Sequence, residues 1–176
     1  SLNIIMNELG QISIDFALLD KYQNNFTEKD KTDTYSTIST ADLNVKTAYQ
    51  NLSCDIYQKF IGLNEISTLK DIEEQINVDI KYASIILQKP GSINAHHFDK
   101  FWLLKNDNDE RTRVRVNVFL SKWYFGQILE TTGKTISKWK IGDTAMWDNT
   151  VEHFAVNLSG YDKLTMQLSG YLKYSP

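Results

Sequence analysis

The chain has 176 residues, of which 41% are hydrophobic and 23% charged, with a formal net charge of -3. This composition is typical of one globular domain, and it excludes a strongly basic surface for nucleic acid. There is no apolar run of membrane-spanning length, no signal-peptide pattern at the N-terminus and only one cysteine, Cys54. We therefore expect a single-domain cytoplasmic protein that binds neither nucleic acid nor membrane; the sequence indicates no particular oligomeric state.

The first 77 residues are polar and mixed in character. Residues 23–44 are rich in Thr, Ser, Asp and Asn, which is typical of a loop. Residues 35–44 within it are a candidate lid and specificity element. Apolar side chains in residues 41–63 recur near helical spacing, which predicts a helix. A shorter helix is predicted soon after, with Ser67 as its N-cap. The sequence thus indicates an N-terminal region of helices and loops.

From residue 78 onward the pattern changes to β strands. Residues 78–88 are rich in branched and aromatic side chains, and a turn containing Pro90 ends that run. Residues 111–123 alternate polar and apolar side chains with a period of two. The other strand candidates are residues 93–104, 135–142, 143–148, 151–159 and 163–174. Many short strands at this spacing predict a sandwich or small barrel, so we expect a mainly β fold with an N-terminal α layer.

The stretch NAHHFDKFW, residues 94–102, places two adjacent histidines next to an aspartate. In a strand, residues i and i+2 share a face, so His97 and Asp99 would project together while His96 points away. His153 is the remaining histidine, and a returning strand could bring it beside His97. Two imidazoles and one carboxylate form the usual ligand set of non-haem Fe(II) oxygenases. The His-x-Asp spacing alone also fits a structural hydrogen-bonded pair.

Ten residues after His153, Lys163 and Thr165 form another i, i+2 pair on the next strand candidate. A lysine there can form a charged hydrogen bond with the carboxylate of a ligand, and a hydroxyl two residues on can hold the same carboxylate. The alternative is a solvated lysine on a strand surface.

The joint pattern resembles the Fe(II)/2-oxoglutarate-dependent oxygenases. The family carries His-x-Asp, a distal histidine, a basic residue about ten positions later and often a hydroxyl two further on. This chain has them as His97-Phe98-Asp99, His153, Lys163 and Thr165. Residues 139–160 also resemble the aspartyl/asparaginyl β-hydroxylase-like and prolyl hydroxylase-like branches, and a lysine as the basic residue is closer to the latter. The resemblance covers about residues 80–173.

This resemblance implies a double-stranded β-helix, the cupin-like jelly roll, over residues 78–176. The implied metal is Fe(II), held by His97, Asp99 and His153, with no catalytic residue beyond these ligands. The cosubstrate 2-oxoglutarate would chelate the metal and pair with Lys163 and Thr165, and O₂ would take the remaining position. A peptidyl side chain or a small molecule would be hydroxylated, with release of succinate and CO₂.

Three further side chains are candidates for binding 2-oxoglutarate. Tyr82 could hydrogen-bond the cosubstrate, or it could be a core tyrosine. Arg115 and Asn117 lie on a polar stripe with Arg113. If that stripe faces the interior, Arg115 needs an anionic ligand or an acidic partner; if the valines between them form the core, the arginines are solvated.

Two other interpretations stay open on the sequence alone. One is a cupin-like metalloprotein, such as another dioxygenase or an isomerase, that does not use 2-oxoglutarate. The other is a non-catalytic β-sandwich binding module in which His97 and Asp99 form a structural pair. Loss of Lys163 should matter only to an enzyme that uses 2-oxoglutarate, and a binding module should take up no metal.

Overall fold

The computed structural model describes residues 12–14, 16–32, 55–105 and 108–173. Its α-helices are α1 (Phe16–Gln23) and α2 (Leu69–Ile76), and short 3-10 helices span Glu28–Asp30, Leu63–Glu65 and Trp102–Leu104. Its strands are β1 (Ile56–Ile61), β2 (Val78–Gln88), β3 (Ser92–His97), β4 (Arg113–Phe119), β5 (Gln127–Thr131), β6 (Lys134–Ile136), β7 (Thr144–Asp148), β8 (His153–Asn157) and β9 (Lys163–Leu172).

The strands form two antiparallel sheets. The larger sheet has the order β1-β2-β9-β4-β7 and the smaller one β3-β8-β5-β6. From β2 onward the chain passes back and forth between the sheets, apart from the β5–β6 hairpin, so strands distant in sequence become neighbours. This is the topology of a double-stranded β-helix, and it confirms the predicted jelly-roll fold. Within the described ranges, no helix has the length and apolar character needed to cross a membrane.

The two faces of the larger sheet differ because strand side chains alternate. On β4, Val114, Val116 and Val118 are buried in an apolar cluster that also contains Ile72 and Ile76 of α2. The side chains between these valines point the other way, toward the smaller sheet. The first alternative for this strand, a polar stripe that faces the interior, therefore describes Arg115, although the valines do pack in a core, against the helical layer.

A bulge in β2 determines which of its residues face the interior. The pairing of β2 with β9 shifts register between Ile80 and Tyr82. Val78 and Ile80 before the shift, and Ala83 after it, all join the cluster on the helical face. The even-numbered residues from Tyr82 onward therefore point inward. Gly170 lies opposite the bulge, where an added Cβ would lie 2.0 Å from the carbonyl oxygen of Asp79, so only glycine fits.

The helix predicted over residues 41–63 is wrong in its last part. Residues 55–61 are described, and Ile56–Ile61 is strand β1, paired with β2 along its whole length. Ile56 and Phe60, spaced like helix neighbours, do not share a buried face: Ile56 is buried, whereas Phe60 is 59% exposed. The exposed edge of β2 offers main-chain hydrogen bonds that outweigh the helical spacing. Residues 41–54 and the candidate lid at 35–44 lie outside the described residues.

Other local predictions need smaller corrections. The helix expected from Ser67 begins at Leu69, and its N-cap is Thr68. Helix α1 has no counterpart among the predicted elements. The strand candidate at 135–142 is largely turn, because β6 ends at Ile136.

Candidate metal centre

His97, Asp99 and His153 come together in the interior, each with a ligand atom within 4.8 Å of the others. His97 is the last residue of β3, and His153 is the first residue of β8 and its direct register partner. Their ring centroids lie 4.2 Å apart. Asp99 lies beyond the end of β3, so strand alternation does not account for its position. The chain instead leaves the sheet after His97, and a turn brings the Asp99 carboxylate back toward the two imidazole rings.

Main-chain carbonyls fix the tautomer of both histidines. His97 Nδ1 lies 2.5 Å from the carbonyl oxygen of Ala95, and His153 Nδ1 lies 3.2 Å from that of Val151. A carbonyl oxygen only accepts hydrogen bonds, so each Nδ1 carries a proton, which leaves each Nε2 as the ring atom that can bind a metal. Burial lowers the pKa of His153 to about 4, against the opposing effect of Asp99, so this imidazole is neutral at pH 7. Both rings are thus ready to act as metal ligands.

The Asp99 carboxylate is 9% exposed and is held by two side chains. Arg115 donates from Nε to Oδ2 and from Nη2 to Oδ1, each at 3.2 Å, and Trp147 Nε1 donates to Oδ2 at 2.7 Å. Burial by itself would raise the pKa of Asp99, but the positive charge of Arg115 holds that pKa below its usual range. The carboxylate is ionised, and three of its roughly four acceptor positions are used. The remaining position, on Oδ1, can serve a metal.

This ligand set fits a divalent transition metal. Ligands at about 2.1 Å from a common ion and at right angles lie roughly 3 Å apart. The distance from His153 Nε2 to Asp99 Oδ2 is 3.7 Å. Since this imidazole is neutral, that approach is not an ion pair; small side-chain shifts would bring both groups to coordination distance.

His96 points away from this centre, as alternation along β3 predicts. Its imidazole is exposed, lies with Nδ1 3.0 Å from Glu152 Oε1 and packs beside the ring of Phe154. It is a surface residue in this structure.

Lys163 is buried in the interior and has no carboxylate partner within the described residues. Its side chain lies over the ring of Trp139, 5.4 Å from the centroid, and Nζ donates to Gln88 Oε1 at 3.3 Å. Only 4% of the residue is exposed. Burial lowers the pKa of Lys163 to about 7. A buried ammonium without a counter-charge is costly, so this position favours an anionic ligand.

The amide of Gln88 orients this lysine and ties it to the strand that carries His153. Gln88 Nε2 donates to the carbonyl oxygens of Ser92, at 2.9 Å, and Ala155, at 3.1 Å. These bonds turn Oε1 toward Lys163. Ala155 lies two residues along β8 from His153, a rise of about 7 Å. Lys163 and the metal centre are therefore on neighbouring stretches of the same interior.

The other residues predicted to contact the cosubstrate lie at different places in the interior. Thr165 follows Lys163 on the inward face of β9 and is buried. Asn117 also faces inward, and its Oδ1 accepts a hydrogen bond from Gln167. The guanidinium of Arg115 is bound to Asp99 and to the hydroxyl of Ser169, so its charge is already matched by a protein carboxylate. Of the two partners expected for an inward Arg115, an anionic ligand or an acidic residue, the structure supplies the acidic residue, Asp99.

The predicted contact of Tyr82 with the cosubstrate gains no support from the position of Tyr82 relative to Lys163. Tyr82 pairs with Ser169 in the sheet, whereas Lys163 pairs with Gln88. Six residues of β2 separate these positions, which is about 20 Å. A five-carbon dicarboxylate spans less than half that distance. Tyr82 instead lines a cavity of about 590 Å³ whose inner wall includes His97, Asp99 and Arg115.

Sequence reasoning did not single out Gln88, Trp139 or Trp147. Gln88 points inward only because of the bulge in β2, which no sequence pattern marks. Trp147 lies in β7, all five residues of which are buried, so alternation gives no direction for its ring. These contacts depend on packing between the two sheets.

Comparison with known proteins gives the fold class. No family model matches the sequence, and no curated protein matches it. Among solved structures, a viral collagen prolyl hydroxylase from Paramecium Bursaria Chlorella virus-1, in a 2-oxoglutarate complex, matches with a TM-score of 0.51 and 14% identity over 71% of this chain and 83% of that chain. A prolyl-4-hydroxylase from Pseudomonas putida matches with a TM-score of 0.50 and 14% identity over 78% and 85%.

A predicted oxalate decarboxylase from Thermotoga maritima also matches, with a TM-score of 0.45 and 13% identity over 70% of this chain and 86% of that chain. At such identities, likeness extends to the fold. The chain thus has the jelly-roll fold of these two prolyl hydroxylases, with a candidate metal site in its interior.

Proposed function

We propose that this chain is an Fe(II)- and 2-oxoglutarate-dependent oxygenase that hydroxylates its substrate. The observation that carries the proposal is the pairing of two features in one interior. One is a centre of two imidazoles and one carboxylate. The other is Lys163, a buried cation that no described carboxylate neutralises.

Different residues would hold Fe(II) and 2-oxoglutarate. Fe(II) would be held by Nε2 of His97, Nε2 of His153 and the Asp99 carboxylate. The far carboxylate of 2-oxoglutarate would pair with Lys163, and Thr165, on the same face of β9, would add a hydroxyl donor. With these groups bound, O₂ and 2-oxoglutarate are consumed, succinate and CO₂ leave, and a substrate C–H bond becomes C–OH.

The surrounding side chains keep this arrangement in place. Trp147 and Arg115 fix the orientation of the Asp99 carboxylate and keep it ionised. Gln88 aims Lys163 without supplying a negative charge, because its amide is neutral. The burial of Lys163 and His153 excludes water and strengthens the attraction for an anionic cosubstrate.

Stepwise binding of Mn(II) and 2-oxoglutarate tests the proposal. Mn(II) uptake by the purified chain would be followed by loss of the free-ion electron paramagnetic resonance signal. 2-Oxoglutarate would then be titrated calorimetrically into loaded and metal-free protein. We expect one Mn(II) per chain, absent in His153→Ala, and tight 2-oxoglutarate binding only when metal is present.

Two lysine variants complete the test. Lys163→Met should weaken 2-oxoglutarate binding at least tenfold while leaving Mn(II) uptake unchanged. Lys134→Met, which removes an exposed lysine from β6, should change neither. Metal uptake without 2-oxoglutarate binding would instead indicate another class of cupin metalloprotein. No metal uptake at all would indicate that His97 and Asp99 are structural.

A further inference from the structure

The exposed apolar side chains of the described residues concentrate around one cavity. Nine large hydrophobic side chains are exposed, and five of them line the cavity beside the metal centre. These five are Phe60, Tyr82, Phe98, Trp102 and Leu103. Phe60 and Tyr82 come from strands of the larger sheet, while the other three come from the segment after β3. Exposed apolar side chains gathered on both sides of one opening mark a binding site more strongly than scattered ones do.

The cavity connects this rim to the candidate metal centre. Its volume is about 590 Å³, and its lining includes His97 and Asp99 as well as the exposed aromatic side chains. Small-molecule sites are commonly about 300–1,000 Å³ in volume and mostly apolar, with few polar groups. The size of this cavity falls within that class. Its rim is aromatic and apolar, but half of its lining residues are polar or charged, among them Gln58, Asn94 and Gln167. Lys163 is not among the lining residues, so this space does not include the proposed anchor of the far carboxylate of 2-oxoglutarate.

The charges around the cavity disfavour a cationic occupant. Asp99 is the only acidic residue among the described lining residues, and it is already bound to Arg115 and Trp147. Lys100 lines the cavity, and its Nζ lies 5.5 Å from the centroid of the Trp102 ring. Lys105 Nζ lies 5.2 Å from the same centroid. Two ammonium groups therefore lie at the most exposed aromatic surface of the rim.

From these features we infer that the substrate is a small molecule with an aromatic ring system and a neutral or negatively charged polar group. This inference rests on the proposed function, since it assigns the cavity to the substrate of that reaction. The ring system contacts Phe98 and Trp102, and a negative group, where present, lies near Lys100. The metal centre then faces the part of the molecule that enters deepest.

Two fluorescent dyes of nearly identical shape test this inference on the full chain without metal. 8-Anilinonaphthalene-1-sulfonate carries a negative charge, and N-phenyl-1-naphthylamine is its neutral counterpart. We expect both to bind, and Trp102→Ala to raise both dissociation constants about tenfold. Lys100→Glu should weaken the sulfonate dye several-fold more than the neutral one. Phe125→Ala is the matched control, because Phe125 is 90% exposed but does not line the cavity.

The outcomes separate this inference from the proposed function. Equal losses in Trp102→Ala and Phe125→Ala, or no loss in Trp102→Ala, would overturn the inference. Dye binding that depends on Trp102, in a chain that takes up no Mn(II), would overturn the proposed function and leave the cavity assignment standing without its reaction. Mn(II) and 2-oxoglutarate binding without dye binding would overturn the cavity assignment alone.

Discussion

Replacing Lys163 by arginine should change how 2-oxoglutarate binding responds to pH. Burial lowers the pKa of Lys163 to about 7 in the free protein. Only the ammonium form pairs with a carboxylate, so the competent fraction falls about tenfold for each pH unit above that pKa. Between pH 7 and pH 9 the dissociation constant should therefore rise roughly fiftyfold in the wild type. A guanidinium stays protonated throughout, so Lys163→Arg should show a nearly flat profile.

Calorimetric titration of 2-oxoglutarate into Mn(II)-loaded protein, at half-unit steps between pH 7 and pH 9, measures this difference. Metal occupancy would be checked in each buffer, so that loss of metal is not mistaken for loss of the lysine charge. Binding should also be accompanied by proton uptake in the wild type near pH 8, visible as a dependence of the heat on buffer ionisation. Profiles of equal slope in wild type and Lys163→Arg would refute the assignment of the binding charge to Lys163.

Three further predictions follow from the same contacts. The pKa of Lys163 is about 7 in the folded protein and 10.5 in the unfolded chain. Between pH 7 and pH 10.5 the unfolded chain therefore binds more protons, and the free energy of unfolding should rise by roughly 1.4 kcal/mol per pH unit. Chemical denaturation should show this rise in the wild type and not in Lys163→Met; a rise in both would contradict it. Gln88→Glu gives Lys163 an internal counter-charge, so calorimetry should show 2-oxoglutarate binding at least tenfold more weakly. Unchanged binding would count against the pairing of Lys163 with the carboxylate of 2-oxoglutarate. Trp147→Phe removes the hydrogen bond to Asp99, so the Mn(II) dissociation constant should rise about tenfold in electron paramagnetic resonance titrations. An unchanged dissociation constant would show that Trp147 does not position the Asp99 carboxylate.

The parts of the fold that the sequence predicted are those with a local signal. Alternation of apolar and polar residues indicated β4, and its two faces are indeed chemically different. The grouping of His97, Asp99 and His153 was predicted from their residue types, although the turn after β3, and not strand alternation, brings Asp99 to the two imidazoles. The predicted fold class held because many short strands have few other ways to cover their edges.

The predictions that failed depend on partners distant in the chain. Strand β1 carries helix-like spacing, and only its pairing with β2 makes it a strand. The inward position of Gln88 follows from a bulge that Gly170 accommodates, and the separation of Tyr82 from Lys163 follows from the sheet register. The sequence left open whether Arg115 meets a ligand or an acidic residue, because its partner, Asp99, comes from another part of the chain.

Anaerobic titration with Fe(II) and 2-oxoglutarate tests the central claim most directly. The chelate of 2-oxoglutarate with Fe(II) gives a weak visible charge-transfer band, which would be followed in wild type, Lys163→Met and His153→Ala. We expect a band in the wild type only when Fe(II) and 2-oxoglutarate are both present. Lys163→Met should need at least tenfold more 2-oxoglutarate to form the band, and His153→Ala should not form it. A wild-type chain that binds Fe(II) without forming this band at any 2-oxoglutarate concentration would contradict the central claim.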